Sequence, residues 1–545
     1  MSWYMNAIFY ELYPRAFADG DGDGWGDFIG LRERLDYLKW LGIDCIWLTP
    51  FYPSPLRDDG YDISDYTSVD PRYGTLDDFR ALVEALHARG MRVLVDLVVN
   101  HTSDQHPWFV EARSSRRSPK RDWYVWSDTP DRYAGARIIF IDTEPSNWAY
   151  DQASGQYYWH RFYSHQPDLN YDNPAVQEAM LGVMDFWLRL GIDGFRADAV
   201  PYLYEREGTN SENLPETHAY LKRMRRFIDA HYPGRILLCE ANQWPEDVRP
   251  YFGDGDEFHM GFHFPVMPRL FMAVRSGDRS KVVDILRRTP PIPPGCQWCT
   301  FLRNHDELTL EMVTEEERQW MWAQYAPDPR MRLNLGIRRR LAPLLDNDRR
   351  KIELMNSLLF TLPGAPILYY SDEIGMGDNI ELPDRNGVRT PMQWTAEEPG
   401  AGFSSAPPER FYAPVIADET YGYRRVNVEA QRADPGSLLN TLRRLIAIRK
   451  AVKPLGLGDM QFVEPEPKAA LAYTRSYEGQ TALLIHNLSD APVSAVLPLA
   501  DHAGATVKDL LNPQRAWPPV DARGQYPVRL QPYEYAWLSL APPRA

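Results

Sequence analysis

Residues 194–198 read GFRAD, a short apolar run that ends in Asp198 two residues after Arg196. The run follows a stretch with a helical pattern, DFWLRLGIDG. Two further apolar runs end in a similar way, because RILLCE closes on Glu240 and CTFLRN is followed by His305 and Asp306. Short apolar runs of this kind predict buried strands, each of which delivers an acid at its C-terminal end.

Strand candidates alternate with amphipathic helical stretches over most of the chain. Eight such repeats predict an α/β fold in which parallel strands close into a (β/α)8 TIM barrel. In that fold the C-terminal ends of the strands form the active site. The strand candidates are IFYELYP, DCIWLTP, RVLVDLVVN, DGFRAD, RILLCE, EFHMGF, CTFLRN and PILYYSDE.

Two connections are too long for a plain barrel. Residues 104–173 lack a clear helical pattern and predict an irregular insertion after the third strand, whereas residues 307–347 predict a helical insertion after the seventh. From about residue 455 short alternating strands predict a C-terminal β-sandwich. The predicted divisions are a first part of the barrel at 1–103, an insertion domain at 104–173, a second part of the barrel at 174–454 and a C-terminal domain at 455–545.

The composition excludes several classes of partner. The chain has 545 residues, and 60 basic against 75 acidic side chains give a net charge of −15, which argues against nucleic acid and anionic membranes as partners. No secretory or membrane-spanning segment is evident, and four cysteines are few, so a cytoplasmic location is expected. Cys296 and Cys299 form a lone CxxC, which is expected to be structural.

The three strand-end acids suit chemistry at a sugar acetal. A retaining glycosidase needs a nucleophilic carboxylate and a carboxylic acid about 5–5.5 Å apart. Arg196 points to the same side of its strand as Asp198 and would keep this nucleophile ionised. Burial would keep Glu240 protonated as the acid, and Asp306 would stabilise positive charge on the ring. Each acid alone is more often an ordinary strand-end residue, but the set favours glycoside chemistry.

Other polar and aromatic residues follow the predicted strands. His101 and His305 offer neutral imidazoles for sugar hydroxyls, although both could instead be satisfied by backbone partners. Tyr61 offers an aromatic face for stacking on a pyranose ring. Asp58 could bind distal hydroxyls, and Arg389 could close the same pocket.

An acidic loop near the start of the chain predicts a metal site. Residues 19–27 read DGDGDGWGD, with acids at relative positions 1, 3, 5 and 9 and glycine at 6. This pattern matches the front of a calcium loop, but Gly30 replaces the glutamate that an EF-hand needs at position 12. The alternative is a solvated acidic turn. The candidate ligands are Asp19, Asp21, Asp23, Trp25 and Asp27.

The chain resembles the α-amylase superfamily of retaining glycoside hydrolases and transglycosylases over nearly its whole length. The four principal motifs of that superfamily correspond to DLVVNH, GFRADAV, LLCEAN and RNHDE. QPDLN at 166–170 is similar to an extra motif of its oligo-1,6-glucosidase and trehalose synthase branch. Ser371 departs from the pattern, because related sequences usually carry glycine there. Longer stretches that resemble trehalose synthases are VPYLYEREGTNSENLPETH, EANQWPEDV, GIRRRLAPLLDND, DRNGVRTPMQW and YRRVNVEAQ.

The resemblance implies roles for individual residues. Asp198 would be the nucleophile, Glu240 the acid/base and Asp306 the transition-state stabiliser. The resemblance also implies calcium held by side chains and carbonyls of Asn100, Asp168, Tyr202, Leu203 and Glu205. A second Ca²⁺ or Mg²⁺ would occupy the loop at 19–27, and no organic cofactor is expected. The glucose-binding residues would be Asp58, Tyr61, His101, Gln166, Arg196, His305 and Arg389.

The implied reaction interconverts the disaccharides maltose and trehalose by intramolecular transglucosylation through a glucosyl ester on Asp198, with minor hydrolysis. The alternative is a hydrolytic α-glucosidase or oligo-1,6-glucosidase, in which water resolves the same ester. Isomerisation requires a pocket closed against water, and the two insertions could close it. A non-catalytic relative is disfavoured because all three acids are present. The terminal β-sandwich could supply an interface for a homo-oligomer.

Overall fold

The barrel strands are the centre of the fold in a computed structural model that describes residues 2–542. Eight parallel strands follow one another around a closed barrel in chain order, and the last pairs with the first. Each overlaps one of the predicted apolar runs, so the predicted (β/α)8 barrel is confirmed. The strands are Phe9–Leu12, Cys45–Leu48, Arg92–Val98, Gly194–Asp198, Ile236–Cys239, Met260–Phe262, Gln297–Phe301 and Ala365–Tyr369.

Helices surround the barrel and bury their apolar faces against it. Leu76–Ala88 begins at a capping box formed by Thr75 and Asp78, and buries Phe79 and Leu82 on one face. Such connections return the chain so that all strand C-termini open at one mouth. The helices of the barrel part are Pro14–Phe17, Phe28–Glu33, Leu35–Leu41, Leu76–Ala88, Pro174–Arg189, Pro215–His231, Pro245–Val248, Val266–Ser276, Ser280–Arg288, Arg349–Thr361, Val428–Ala433, Leu438–Ala451 and Lys453–Leu457, and Leu341–Leu344 lies at the end of the second insertion.

The insertion after the third strand contains more regular structure than the sequence indicates. The expectation of no clear helix is wrong, because Pro107–Ser114 is a helix capped by the imidazole of His106. Its start is marked only by a proline at the first position, and eight residues give too short a pattern to detect. A three-stranded antiparallel sheet follows, formed by Trp126–Ser127, Trp148–Asp151 and Gln156–Trp159.

The insertion after the seventh strand combines a helix and a small sheet. The expected helix is Glu315–Tyr325, which begins at a capping box formed by Thr314 and Glu317. The small sheet was not expected, since strands of two residues show no periodicity in the sequence. Its strands are Leu308–Thr309, Arg332–Leu333 and Gly336–Ile337.

The C-terminal domain consists of antiparallel strands around its own apolar core. Five strands form one sheet, and Val493–Pro498 pairs with Gln525–Leu530 in a second. Thr506–Asp509 and Gln525–Leu530 were not predicted, and Pro527 in the latter is tolerated in a two-stranded edge. No helix within residues 2–542 has both the length and the apolar character needed to cross a membrane. The five-stranded sheet comprises Asp459–Val463, Ala470–Tyr477, Gln480–Asn487, Thr506–Asp509 and Tyr535–Ala541.

Ser371 occupies a turn conformation that favours glycine. It is buried with a φ of 67°, in the left-handed region, two residues after the end of the eighth strand. Its hydroxyl donates a hydrogen bond to the carbonyl of Tyr370 at 2.5 Å. Ser371 therefore has the left-handed backbone conformation that glycine adopts without strain, and its hydroxyl makes a local hydrogen bond.

Candidate active site

The three predicted catalytic acids line one cavity at the mouth of the barrel. Asp198 is the last residue of the fourth strand, and Glu240 directly follows the fifth. Asp306 lies in the loop after the seventh strand. The barrel thus brings together acids that are far apart in the chain, because parallel strands deliver their C-termini to the same face.

The buried guanidinium of Arg196 contacts two of these acids and the carboxyl of Asp96. Arg196 Nη1 lies 2.5 Å from Asp198 Oδ1 and 2.6 Å from Asp96 Oδ1. Arg196 Nη2 lies 2.7 Å from Glu240 Oε1. One cation therefore contacts three carboxyls, and the arginine itself is only 1% exposed.

Burial gives Asp198 and Glu240 different pKa values. It raises the pKa of Asp198 to about 6, although the neighbouring Arg196 opposes this shift. Burial outweighs the arginine in setting this pKa, but Asp198 stays ionised near pH 7, as expected from the sequence. Burial also raises the pKa of Glu240 to about 8. Near pH 7 the site therefore holds a carboxylate beside a carboxylic acid, which is the combination that retaining chemistry needs.

Asp306 lies beside two arginine cations and the imidazole of His305. Burial by itself would raise the pKa of this carboxyl, but His305, Arg385 and Arg389 together lower it below the ordinary value. Arg385 Nη1 lies 2.7 Å and Arg389 Nη2 3.1 Å from Asp306 Oδ1. Asp306 is therefore a fixed negative charge at the cavity wall.

Four of the residues predicted to bind glucose line the cavity, namely Asp58, Tyr61, His101 and His305. Burial lowers the pKa of His101 to about 3, so its imidazole is neutral. Asn100 Nδ2 donates to His101 Nδ1 at 3.3 Å, which leaves the proton on Nε2. This Nε2 is buried and has no hydrogen-bond partner in the protein, so it is free to donate to a sugar hydroxyl.

The other three predicted glucose-binding residues lie behind the cavity wall. Gln166 donates to Asp58 Oδ2 at 2.8 Å, and Arg389 contacts Asp306 and Asp59. Arg196 lies below the acids. Each of the three contacts a side chain that faces the cavity, so these residues position the side chains of the site.

Arg385 lines the cavity and was missed in the sequence. Its Nη2 lies 2.6 Å from Asp58 Oδ1, and its Nη1 contacts Asp306. A single side chain thus joins two acids that the sequence treated separately. The segment DRNGVRTPMQW contains both Arg385 and Arg389, but nothing in its spacing shows which arginine faces the cavity. Glu307, next to Asp306, also lines the cavity and was missed.

Both insertions supply the rim of the cavity. Phe140 and Phe162 come from the first insertion, and Glu311 comes from the second. The insertions also contact each other across the mouth, because Arg137 and Glu311 form a salt bridge at 2.9 Å. In addition, the Asn334 N–H donates to Asp142 Oδ2 at 2.7 Å. These contacts join the two insertions beside the cavity.

The residues predicted to hold calcium lie beside the cavity. Asn100 Oδ1, Asp168 Oδ2 and Glu205 Oε1 are all buried and have no hydrogen-bond partner in the protein. Tyr202 and Leu203 lie just before Glu205, at the end of the turn Val200–Tyr202. Unpaired buried oxygens of this kind fit a hard cation, since Ca²⁺ takes carboxylate and amide oxygens.

The acidic loop at 19–27 brings three of its four acids together. Carboxylate oxygens of Asp19, Asp21 and Asp27 all lie within 4.8 Å of one another. Asp27 also caps the helix Phe28–Glu33 by accepting the N–H of Gly30. Asp23 instead accepts the N–H of Trp25 at 2.8 Å, outside that convergent group.

Comparisons with known proteins agree with this geometry. Residues 11–327 and 334–458 match the α-amylase catalytic domain, and residues 460–537 match the C-terminal domain of maltogenic amylase. Trehalose synthase/amylase TreS of Mycobacterium tuberculosis is 60% identical over 516 residues, which cover 93% of this chain and 86% of that protein.

A second curated relative and a solved structure cover nearly the whole chain. Trehalose synthase of Pimelobacter sp. is 55% identical over 556 residues, covering 99% of this chain and 96% of that protein. The structure of the trehalulose synthase MutB from Pseudomonas mesoacidophila MX-45 is 29% identical, with a TM-score of 0.78, and covers 99% of this chain and 100% of that one. Taken with the barrel and its acids, these matches show that the chain belongs to the α-amylase superfamily and, within it, to the trehalose synthases.

Proposed function

We propose that this enzyme interconverts maltose and trehalose by intramolecular transglucosylation. The observation that carries the proposal is a carboxylate and a carboxylic acid in one cavity, under a rim where two insertions contact each other. Relatives that are more than half identical are named trehalose synthases, which supports the same activity here.

In the first half-reaction, the ionised Asp198 attacks the anomeric carbon of the bound glucosyl unit. Glu240 gives its proton to the glycosidic oxygen as the carbon–oxygen bond breaks, so glucose leaves and a glucosyl ester forms. Asp306 faces the positive charge that develops on the ring. One guanidinium contacts both Asp198 and Glu240, so the two carboxyls share a cation in the same cavity, in agreement with a retaining mechanism.

In the second half-reaction, the released glucose turns and attacks the ester through its anomeric hydroxyl. Glu240, now ionised, accepts the hydroxyl proton, and Asp198 leaves as a carboxylate. Two inversions at the same carbon restore the α configuration. Water competes for the same ester, so the rim must remain closed while the glucose turns.

Labelled glucose tests the proposed reaction. When the enzyme converts maltose in the presence of ¹³C-glucose, we expect trehalose as the main product with little label in either disaccharide, because the released glucose stays in the cavity. Mass spectrometry of the products measures both quantities. Glucose as the main product would establish the α-glucosidase alternative instead. Efficient entry of label into trehalose would contradict only the intramolecular step.

Weakening the contact between the insertions should increase hydrolysis. Glu311→Gln removes the charge that pairs with Arg137 but keeps the side-chain shape. A partly exposed ion pair is worth up to about 1 kcal/mol, so the open population and the share of glucose among the products should rise by up to about fivefold. The product ratio by chromatography measures this effect. Glu316→Gln, at an exposed position on the same insertion, is the control, and an equal rise there would contradict the role of the pair.

We also propose that calcium binds at Asn100, Asp168 and Glu205, with the carbonyls of Tyr202 and Leu203. Burial raises the pKa of Asp168 to about 8, and burial together with Asp168 raises that of Glu205 well above its ordinary value. A cation would replace protons at this pair and hold Asn100, whose amide contacts His101. The loop at 19–27 would bind a second Ca²⁺ or Mg²⁺.

Removing one ligand tests the calcium site. Glu205→Gln should lower the Ca²⁺ affinity measured by calorimetry on metal-depleted protein by about 10–100-fold, because a ligand charge is lost. The share of glucose among the products should rise as the neighbouring wall loosens. Glu207→Gln, an exposed change two residues away, is the control. An unchanged affinity and product ratio in folded Glu205→Gln protein would contradict the site.

A further inference from the structure

A buried glutamate lies directly behind His305, and the proposed reaction does not use it. Glu11, on the first barrel strand, is 0% exposed. Its Oε1 lies 2.5 Å from His305 Nδ1 and 3.2 Å from the backbone nitrogen of His305. The other ring nitrogen, His305 Nε2, lies 3.2 Å from Asp306 Oδ2 at the cavity. The imidazole therefore connects a hidden carboxyl to a catalytic carboxylate.

The imidazole of His305 is held rigidly between aromatic rings. Tyr61 stacks on it with centroids 5.2 Å apart and an interplanar angle of 6°. Trp47 and Tyr13 pack edge-on at 5.7 and 5.8 Å. Because these rings hold the imidazole in place, each nitrogen keeps the partner described above.

The partner of Nε2 decides which nitrogen carries the proton. Asp306 is held as a carboxylate by two guanidinium groups and can only accept a hydrogen bond. The proton of the imidazole therefore belongs on Nε2. Burial holds the pKa of His305 well below its ordinary value, so the ring carries only this one proton. Nδ1 is then bare, and its short contact with Glu11 needs a proton from the carboxyl.

We propose that Glu11 is a positioning residue, a neutral carboxylic acid that donates a hydrogen bond to His305 Nδ1 and thereby fixes the Nε2 proton toward Asp306 and the sugar. No proton is transferred in this arrangement, and the reaction remains that of Asp198 and Glu240. The inference rests on the proposed glucosyl transfer only for the identity of the sugar.

The groups around Glu11 agree with a neutral carboxyl. Burial raises its pKa well above the ordinary value, and the carboxylates of Asp306 and Asp96 act in the same direction. The His305 N–H and the Arg196 cation oppose this shift but are outweighed. Tyr369 is another titratable neighbour, and its own pKa is raised well above the ordinary value.

An ionised Glu11 would have the opposite effect on the site. It would require the proton on Nδ1 and would leave the bare Nε2 facing the Asp306 carboxylate, where two acceptors repel each other. His305 and Asp306 would then separate, and a misplacement of about 1 Å in a catalytic site can cost about 100-fold in rate.

Two variants and a nuclear magnetic resonance measurement test the role. In ¹⁵N-histidine-labelled enzyme, with the His305 signal assigned by its loss in His305→Asn, we expect a protonated Nε2 and a bare Nδ1 from pH 6 to 8. Glu11→Gln should keep this tautomer and kcat within about threefold, because its amide N–H can donate to Nδ1. Glu11→Met has no donor and should lower kcat by about 100-fold with little change in KM.

Glu373→Gln is the matched control, since Glu373 is equally buried but accepts hydrogen bonds from Tyr10 and Tyr37 away from the cavity. It should leave kcat and the His305 signal unchanged. A proton on Nδ1 in the wild type, or a loss in Glu11→Gln as large as in Glu11→Met, would overturn the role of Glu11. If Glu11→Met does not fold, the wild-type spectrum and Glu11→Gln still decide. The spectrum is independent of the product, so failure of the proposed isomerisation would be seen separately.

Discussion

Asp198→Asn is expected to lower kcat for both maltose and trehalose by about 10⁴-fold, because a neutral amide cannot form the glucosyl ester. Asparagine keeps the volume of the side chain and an oxygen for Arg196 Nη1, so the fold should persist. Steady-state rates measured by product chromatography, and the absence of a glucosyl adduct by mass spectrometry of the quenched enzyme, check the result.

The control for this variant lies on the same stretch of chain. Asp193 is buried at the opposite end of the fourth strand, where it contacts Arg92 at 3.0 Å and Arg235 at 2.9 Å. Asp193→Asn should lower the free energy of unfolding while leaving kcat within a few fold, since it lies far from the cavity. Equal losses of kcat in both variants, or a glucosyl adduct in Asp198→Asn, would contradict the assignment of the nucleophile.

Arg196→Met is expected to destabilise the protein by about 3–5 kcal/mol, because it leaves buried carboxyls without their cation. The pKa values of Asp198 and Glu240 already lie above those of exposed carboxyls and would rise further. A carboxyl with a raised folded-state pKa binds protons more tightly when folded, so stability falls as the pH rises toward that pKa. Denaturant unfolding should therefore show a larger loss at pH 8 than at pH 5.

The same variant should move the pH dependence of catalysis. In the wild type, kcat/KM should fall below about pH 6 as Asp198 takes up a proton, and above about pH 8 as Glu240 loses one. Without Arg196 the acid limb should move to higher pH, since the cation favours the ionised form of Asp198.

Arg449→Met is the control for Arg196→Met. Arg449 is fully buried but donates to backbone carbonyls of Phe360, Leu455 and Gly364 instead of carboxyls. It should cost stability without shifting the pH limbs. An acid limb that is unchanged in Arg196→Met would contradict the electrostatic role of Arg196.

The barrel could be predicted from the sequence because each strand overlaps a short, mainly apolar run, and such runs are local features. The short strands of the second insertion could not be predicted, because a strand of two residues such as Leu308–Thr309 shows no pattern in the sequence and is recognised only by its pairing. Pro527 concealed a strand for a related reason, because only the pairing shows that it lies in a two-stranded edge.

The sequence by itself determined which acids meet, since Asp198, Glu240 and Asp306 each lie at or just beyond a strand end and parallel strands share one mouth. The tertiary structure decided their surroundings. Burial, which depends on the whole packed chain, outweighs the adjacent Arg196 in setting the pKa of Asp198. Likewise Arg385 reaches Asp58, and Glu11 reaches His305, across hundreds of residues. Such contacts depend on how distant segments pack, which local patterns in a sequence do not encode.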